Sequence, residues 1–382
     1  MQDVEEFRAE VRAWLADNLV GDFAKLKGLG GPGREHEAFE ERLAWNRHLA
    51  DAGLTCLGWP VENGGRGLST AHRVAFYEEY ARADAPDKVN HFGEELLGPT
   101  LIAYGTPEQQ QRFLPRIRDV TELWCQGYSE PGAGSDLANV STTAELDGDQ
   151  WVINGQKVWT SLAHLSQWCF VVARTDKGSK RHAGLSYLLV PLDQPGVQVR
   201  PIVQITGTAE FNEVFFDDAR TDAALVVGQP GDGWRVAMGT LTFERGVSTL
   251  GQQIVYAREL SDLAALAQRT GAAGDPSISE RLTRSWVGLR AMRSYALATM
   301  DVEQPGQDNV SKLLWANWHR SLGELAMDVI GRPGLVLSDG EFDEWQRLYL
   351  FTRADTIYGG SNEIQRNIIA ERVLGLPREV KG

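Results

Sequence analysis

The hydrophobic periodicity of this 382-residue chain changes twice, and those changes restrict the fold more than any single motif does. Over residues 2–118 apolar positions recur in steps of three and four. Val4, Phe7, Val11 and Trp14 lie on one side of a helix, which predicts helices joined by short loops. From about 120 to 228 the pattern alternates, as at Val140, Thr142, Ala144 and Leu146, or runs continuously, as over 168–172 and 185–190. Turn signals at Asp147-Gly148, Asn154-Gly155 and Pro195-Gly196 divide this stretch into short strands, which predicts a β barrel or sandwich. After Gly231-Asp232-Gly233 the helical step returns through Val247, Leu250, Ile254 and Ala257. Further helices are expected over 277–302, 308–330, 341–355 and from about 363 towards Gly375. The expectation is an α+β chain in three parts: helical over 1–119, β over 120–228, helical over 229–382.

Several loops have an architectural explanation. Thr106 is placed to cap a helix that begins at Pro107 and runs towards Leu114, since proline suits the first helical position. Gly28-Leu29-Gly30-Gly31-Pro32-Gly33 matches GxGxxG. It follows a helical pattern instead of a strand and contains a proline, so it reads as a flexible connector and not as a dinucleotide site. The glycine-rich loop from Trp59 to Leu68 reads as a structural turn.

Two segments carry more chemistry. In Tyr128-Ser129-Glu130-Pro131-Gly132-Ala133-Gly134-Ser135-Asp136, the proline fixes a turn and two glycines permit positive φ. Ser129 and Ser135 offer hydroxyls beside exposed amides, so the loop can surround a polar or anionic group. Asn154-Gly155 suits a type I′ hairpin turn and leads through Gln156, Lys157 and Val158 into Trp159, Thr160 and Ser161, a flat aromatic followed by two hydroxyls. Taken singly, each segment also has a plainer account, a glycine-rich turn and a core tryptophan. Together and in this order they resemble the flavin-binding signature of the acyl-CoA dehydrogenase family, and the resemblance extends over essentially the whole chain.

The resemblance implies an N-terminal α-helical domain, a central β domain and a C-terminal four-helix bundle. It implies FAD as cofactor, an acyl-CoA substrate oxidised to the 2,3-enoyl-CoA, and an electron-transferring flavoprotein as acceptor, in the setting of fatty-acid β-oxidation. A homo-oligomer, dimer or tetramer, is implied, with a heteromer left open. For the flavin it assigns Tyr128, Ser129 and Gly134 to the ring-side loop and Ser129 to the pyrimidine edge. Ser135 goes to the pyrophosphate, with a place beside the substrate as well. Trp159 and Thr160 pack at the isoalloxazine, and Ser161 lies near N5 and O4. Arg269 matches an arginine that reaches a neighbouring subunit's FAD, with Thr270-Gly271 replacing the family's Phe-Gly. Asp328 stands where the family has a glutamine, and Ser361 and Glu363 replace its threonine and glutamine at FAD contacts.

The reaction needs a base for the α-proton and donors that polarise the thioester oxygen. Many members carry the carboxylate just after the tyrosine of a Tyr-Glu-Gly-Thr segment; here that residue is Gly359, following Tyr358. Other members, of the isovaleryl and long-chain type, place it on an earlier helix in a Glu-Arg pair, which Glu244-Arg245 matches. Glu244 lies three residues before Val247 and so continues the apolar, inward helical face, where desolvation strengthens a carboxylate as a base. On spacing alone a structural ion pair with another helix is the better account, and it is the resemblance, with no carboxylate at Gly359, that reverses the preference. Gly359 keeps the backbone N–H that the family uses, with a ribityl hydroxyl, to bind the thioester oxygen. Arg245, Tyr358, Gly359 and Ser135 are the substrate-side residues of this reading.

The net charge of −14 argues against nucleic acid or an anionic membrane as the main partner, so an anionic coenzyme A ester needs local positive charge. Cys56, Cys125 and Cys169 form no CxxC pair and suggest reduced thiols and a cytoplasmic location; no secretory signal or membrane-length run is visible. No histidine spacing supports a metal site. Two other functions remain compatible with the scaffold: a flavin oxidase or monooxygenase, and a non-catalytic partner subunit of a mixed oligomer. Glu244→Gln is expected to leave flavin bound while abolishing acyl-CoA-dependent bleaching of its absorbance; retained bleaching would move the base elsewhere.

Overall fold

The computed structural model describes residues 2–243, 248–299, 305–338 and 340–377. In chain order the helices are α1 (Val4–Asn18), α2 (Phe39–Asp51), α3 (Thr70–Arg82), α4 (Gly98–Tyr104) and α5 (Pro107–Arg118). They continue with α6 (Gly233–Phe243), α7 (Ser248–Thr270), α8 (Pro276–Thr299), α9 (Gln307–Ile330), α10 (Glu344–Phe351) and α11 (Asn362–Ile368). The strands are β1 (Trp124–Gly127), β2 (Thr143–Asp147), β3 (Gln150–Ser161), β4 (Trp168–Arg174), β5 (Leu185–Pro191), β6 (Val197–Ile202), β7 (Phe211–Asp222) and β8 (Val226–Val227). They form two compact units that do not follow chain order. One comprises Asp17–Ser69 with Ala85–Gly246, the other Met1–Ala16 and Thr70–Asp84 with Val247–Gly382.

In the first unit the strands follow the order β6-β7-β3-β2-β4-β5-β8, with β1 parallel beside β4. β2 and β4 are joined only at Thr143 and Arg174, and the sheet folds over at that seam. Trp151, Ile153, Val214 and Phe216 of one half therefore pack with Cys169, Val171, Leu188 and Val190 of the other in one core, as the alternating pattern predicted. The opposite face of β4 and β5, with Phe170, Val172, Tyr187 and Leu189, is covered by Leu97, Leu101, Phe113, Ile117 and Val236 from the flanking helices. Strands buried on both sides require unbroken apolar runs, which explains 168–172 and 185–190. The predicted start of α5 also holds: Thr106 and Gln109 form a reciprocal capping box with Pro107 at the first helical position. Gln109 then donates to the carbonyls of Ala224 and Val226, tying that helix to β8.

Two readings are corrected. Asn154-Gly155 is not a hairpin turn, because β3 runs through it unbroken and the turn falls at Gly148-Asp149, between the paired Asp147 and Gln150. The dipeptide instead marks a shift of register against β7, where Asn154 exchanges two 2.9 Å hydrogen bonds with Asp218. Gly155 has φ 151°, and a Cβ there would approach Thr142 Oγ1 to 2.5 Å. The loop Gly28–Gly33 is likewise no slack connector. It closes on the fully buried guanidinium of Arg42, which a Cβ on Gly30 would meet at 1.8 Å and which donates to Glu35 and Glu37.

In the second unit α7, α8 and α9 pack pairwise, and α10 lies against α9, making the four-helix bundle; α3 adds to α7. Leu260, Leu263, Ala267, Met292, Leu322 and Leu325 form its core. Glu78 and Glu79 of α3 are buried but paired, both accepting from Arg8, and Glu78 also from Arg293. Among the described residues no helix is long and apolar enough to cross a membrane.

Gly98 has an ordinary helical φ of −56°, yet a Cβ there would lie 1.9 Å from the buried indole of Trp59. Gly98→Ala is therefore expected to destabilise by about 1–3 kcal/mol through overpacking alone, read as a lower urea midpoint with an unchanged slope.

Candidate functional site

The two segments singled out in the sequence meet in the first unit. β1 runs into Tyr128, and Glu130 and Ala133 exchange backbone hydrogen bonds of 3.1 and 3.0 Å, closing a tight turn with Pro131 and Gly132 at its centre. Ser129 O accepts from Val158 N at 2.9 Å, so the loop lies against the end of β3. Gly132 and Gly134 do not use the positive φ that glycine allows, and a Cβ on either would meet no protein atom within 4 Å. Their small size thus leaves open space above the loop. Gly134 and Ser135 are exposed, and Ser129 is half-buried.

Trp159 is held by an irregularity of the strand. Between Lys157 and Thr160, β3 gains a residue relative to β7, and Trp159 takes φ 61°, a left-handed conformation that costs a bulky residue of order 1–3 kcal/mol. The residue is 58% exposed, and its ring meets Phe211 edge-on with centroids 6.2 Å apart. A large aromatic turned outward at a strained bulge is not a core tryptophan. Thr160 beside it is fully buried, and its hydroxyl oxygen has no hydrogen-bond partner among the described residues; the same is true of Gln126 Nε2 on β1. Ser161 remains in the ladder opposite Phe211.

The residues that weld loop to strand were not singled out from the sequence. Lys157, with no exposed surface, donates to Glu130 Oε1 at 2.7 Å, Tyr128 O at 3.1 Å and Val172 O at 2.7 Å. Glu130 also accepts from Ser141 N and Oγ and from Thr142 N, at 2.6–2.9 Å. Burial alone would raise the Glu130 carboxyl. The Lys157 charge and these hydrogen bonds outweigh it and bring the group down to about 2. A signal was available, since Lys157 falls in the inward phase of β3 with Trp151 and Ile153, and an inward lysine needs a buried anion.

In the second unit Tyr358 precedes two left-handed glycines, Gly359 (φ 61°) and Gly360 (φ 86°). Gln365 Nε2 donates to the carbonyls of both, at 3.0 and 3.1 Å. Ser361 caps α11 by accepting from Ile364 N at 3.4 Å, and Glu363, exposed in the first turn, is held below the usual carboxylate range by its own backbone N–H and by the Ser361 hydroxyl. Arg269 is exposed in the last turn of α7, and Asp328 is paired with Arg281. Glu244 and Arg245 lie outside the described residues.

The residues of the first unit suit a planar, polar-edged ligand such as a flavin ring. They present an exposed indole, glycines that leave room above a turn, and buried donors at Thr160 and Gln126 without protein partners.

Comparison with known proteins gives the same outline. Residues 1–120, 125–219 and 231–374 match the models of the acyl-CoA dehydrogenase N-terminal, middle and C-terminal domains. The chain is 89% identical over 385 residues to acyl-CoA dehydrogenase IpdE1 of Mycobacterium tuberculosis (strain ATCC 25618 / H37Rv), with 100% of both chains covered. Among solved structures it is similar to the Tcur3481-Tcur3483 steroid ACAD, at 29% identity and TM-score 0.84 over 98% of each chain. It is also similar to the ChsE4-ChsE5 complex from Mycobacterium tuberculosis, at 30% identity and TM-score 0.81 over 99% of each.

Lys157→Met, which strands Glu130, is expected to cost roughly 3–5 kcal/mol in urea unfolding. Because Glu130 drops from its ordinary 4.5 to about 2 on folding, its stabilisation is complete above pH 4.5 and is lost as pH falls towards 2. Acid unfolding of Glu130→Gln should lack that component.

Proposed function

This chain belongs to the acyl-CoA dehydrogenase family of oxidoreductases, and on that premise we propose that it binds FAD and converts an acyl-CoA thioester to the trans-2-enoyl-CoA. The observation that carries the reading is the exposed, strained indole of Trp159 beside the open Gly132–Gly134 turn. FAD, when bound, would supply the acceptor for the hydride leaving the β-carbon. Trp159 covers one face of the ring. Ser129, Thr160 and Ser161 hydrogen-bond its edge, Tyr128 and Gly134 shape the loop around it, and Ser135 reaches the pyrophosphate. Ser361, Glu363, Arg269 and Asp328 complete the cofactor contacts of this proposal.

Glu244 takes the α-proton, and the Gly359 N–H donates to the thioester oxygen, making that proton acidic enough to leave. Arg245 and Tyr358 stand on the substrate side. The likeness to a steroid ACAD supports a bulky, ring-bearing acyl group. An electron-transferring flavoprotein is the proposed acceptor, in the cytoplasm, where three buried free thiols stay reduced. Division of the chain near residues 119 and 228 belongs to the same proposal and is supported by the ranges of the three family models. A homo-oligomer is the simpler assembly. The likeness to the ChsE4-ChsE5 complex favours a second reading, in which this chain is one subunit of a heteromer and shares its site with a different partner.

Anaerobic titration of the purified flavoprotein with acyl-CoA esters of graded length, branching and ring content tests these readings together. Stoichiometric bleaching is expected, fastest with ring-bearing esters. Bleaching that needs a second protein would establish the heteromer, and a bleached flavin that is rapidly reoxidised with peroxide formation once oxygen is admitted would replace the dehydrogenase by an oxidase.

A further inference from the structure

Beneath the Tyr358-Gly359 segment, α7, α9 and the turn after α10 bring together a buried set of charged groups that the reaction itself does not use. His319 lies with Nδ1 2.8 Å from Asp355 Oδ2 and Nε2 3.1 Å from Glu259 Oε2. Only the imidazolium has a proton to donate on both sides, so the ring is charged. Burial opposes that charge, but the hydrogen bonds and charges of Asp355 and Glu259 outweigh it and raise the imidazole to about 9. The ring of Tyr256 packs on His319, with centroids 4.5 Å apart. Asp355 is 1% exposed and uses both carboxylate oxygens, Oδ2 on His319 and Oδ1 to accept the Tyr358 hydroxyl at 2.7 Å. Lys312 donates to Asp355 O at 2.8 Å, and its ammonium lies 3.9 Å from the Trp315 ring centroid and 4.3 Å from that of Tyr358.

The tyrosine is therefore fixed at its tip by a carboxylate and on its face by a cation. From the other side Gln365 holds the carbonyls of Gly359 and Gly360, and is itself held by Asn309 Nδ2 at 2.5 Å. Two left-handed glycines in succession have many alternative conformations, so a peptide there keeps one orientation only if both ends are anchored. We propose that the chain Glu259–His319–Asp355–Tyr358 is a positioning device that sets the direction of the Gly359 N–H towards the thioester oxygen. The inference rests on the proposed role of that N–H and adds the residues that aim it. In this proposal none of the four is assigned the α-proton or a flavin contact. His319 holds Asp355 charged and oriented, Asp355 holds Tyr358, and Tyr358 holds the amide.

The test uses the flavin-loaded protein and the variants Tyr358→Phe, Asp355→Asn and the double variant. Tyr358→Phe removes one hydroxyl from a partly exposed side chain and is the mild probe should Asp355→Asn fold poorly. The expected result is a fall of roughly 10- to 100-fold in the single-turnover bleaching rate in each single variant, with KM changed far less. The double variant should be no slower than the worse single, because both cut the same link. Independently of activity, amide hydrogen exchange in a peptide spanning 352–361 should speed up in the variants, while peptides from α8 exchange as in the wild type. Wild-type bleaching with unchanged rate and unchanged exchange in Tyr358→Phe would overturn the device alone; absence of bleaching in the wild type, both alone and with a partner subunit added, would instead overturn the dehydrogenase reading, leaving the exchange comparison to decide whether the link orders the segment.

Discussion

The ammonium of Lys157 is the interaction on which the first unit's candidate site depends. It lies inside the fold with no exposed surface, and its three acceptors come from the end of β1, the glycine-bearing loop and β4. An ammonium in that position costs several kcal/mol of lost hydration unless an anion meets it, and Glu130 is that anion. Because Glu130 also accepts from Ser141 and Thr142, the pair draws the loop, the entry to β2 and the bulged end of β3 onto one point. Replacing both residues by apolar ones of similar volume could preserve stability, but it would remove the directional bonds that fix the loop against the indole. The charge pair therefore specifies a geometry more than it adds free energy.

The second unit uses the same strategy with different groups. Where the first fixes a loop with one lysine and one glutamate, the second fixes a glycine pair with a chain of four side chains and an amide clamp. In both, the segment assigned to ligand chemistry is short, rich in glycine and unable to order itself. In both, the order comes from buried polar groups whose hydrogen-bonding capacity is largely consumed.

Much of the architecture was legible because periodicity reports burial directly. The alternating stretch became a folded-over sheet, the unbroken runs became strands covered on both faces, and Thr106-Pro107 began a helix with a reciprocal cap. Reading failed where a local signal had more than one physical cause. Asn154-Gly155 favours left-handed backbone, and a bulge satisfies that demand as well as a hairpin does. Gly132 and Gly134 were read through their conformational freedom, whereas here they provide open space. The Lys157–Glu130 pair joins residues 27 apart, and His319 meets Asp355 across 36, so nothing in their immediate neighbours announced either contact. Trp159 was noticed because it is aromatic, but its positive φ follows from a register shift that no residue type encodes.

That backbone conformation has an evolutionary corollary. At Trp159 a glycine or asparagine would relieve the left-handed strain and withdraw an indole from water, so selection for a robust fold alone would remove the tryptophan. Its presence means that the protein tolerates a less stable β3 to keep one broad aromatic plate facing outward. Stabilised variants selected without regard to ligand binding should drift away from tryptophan at this position earlier than at any buried aromatic of the sheet.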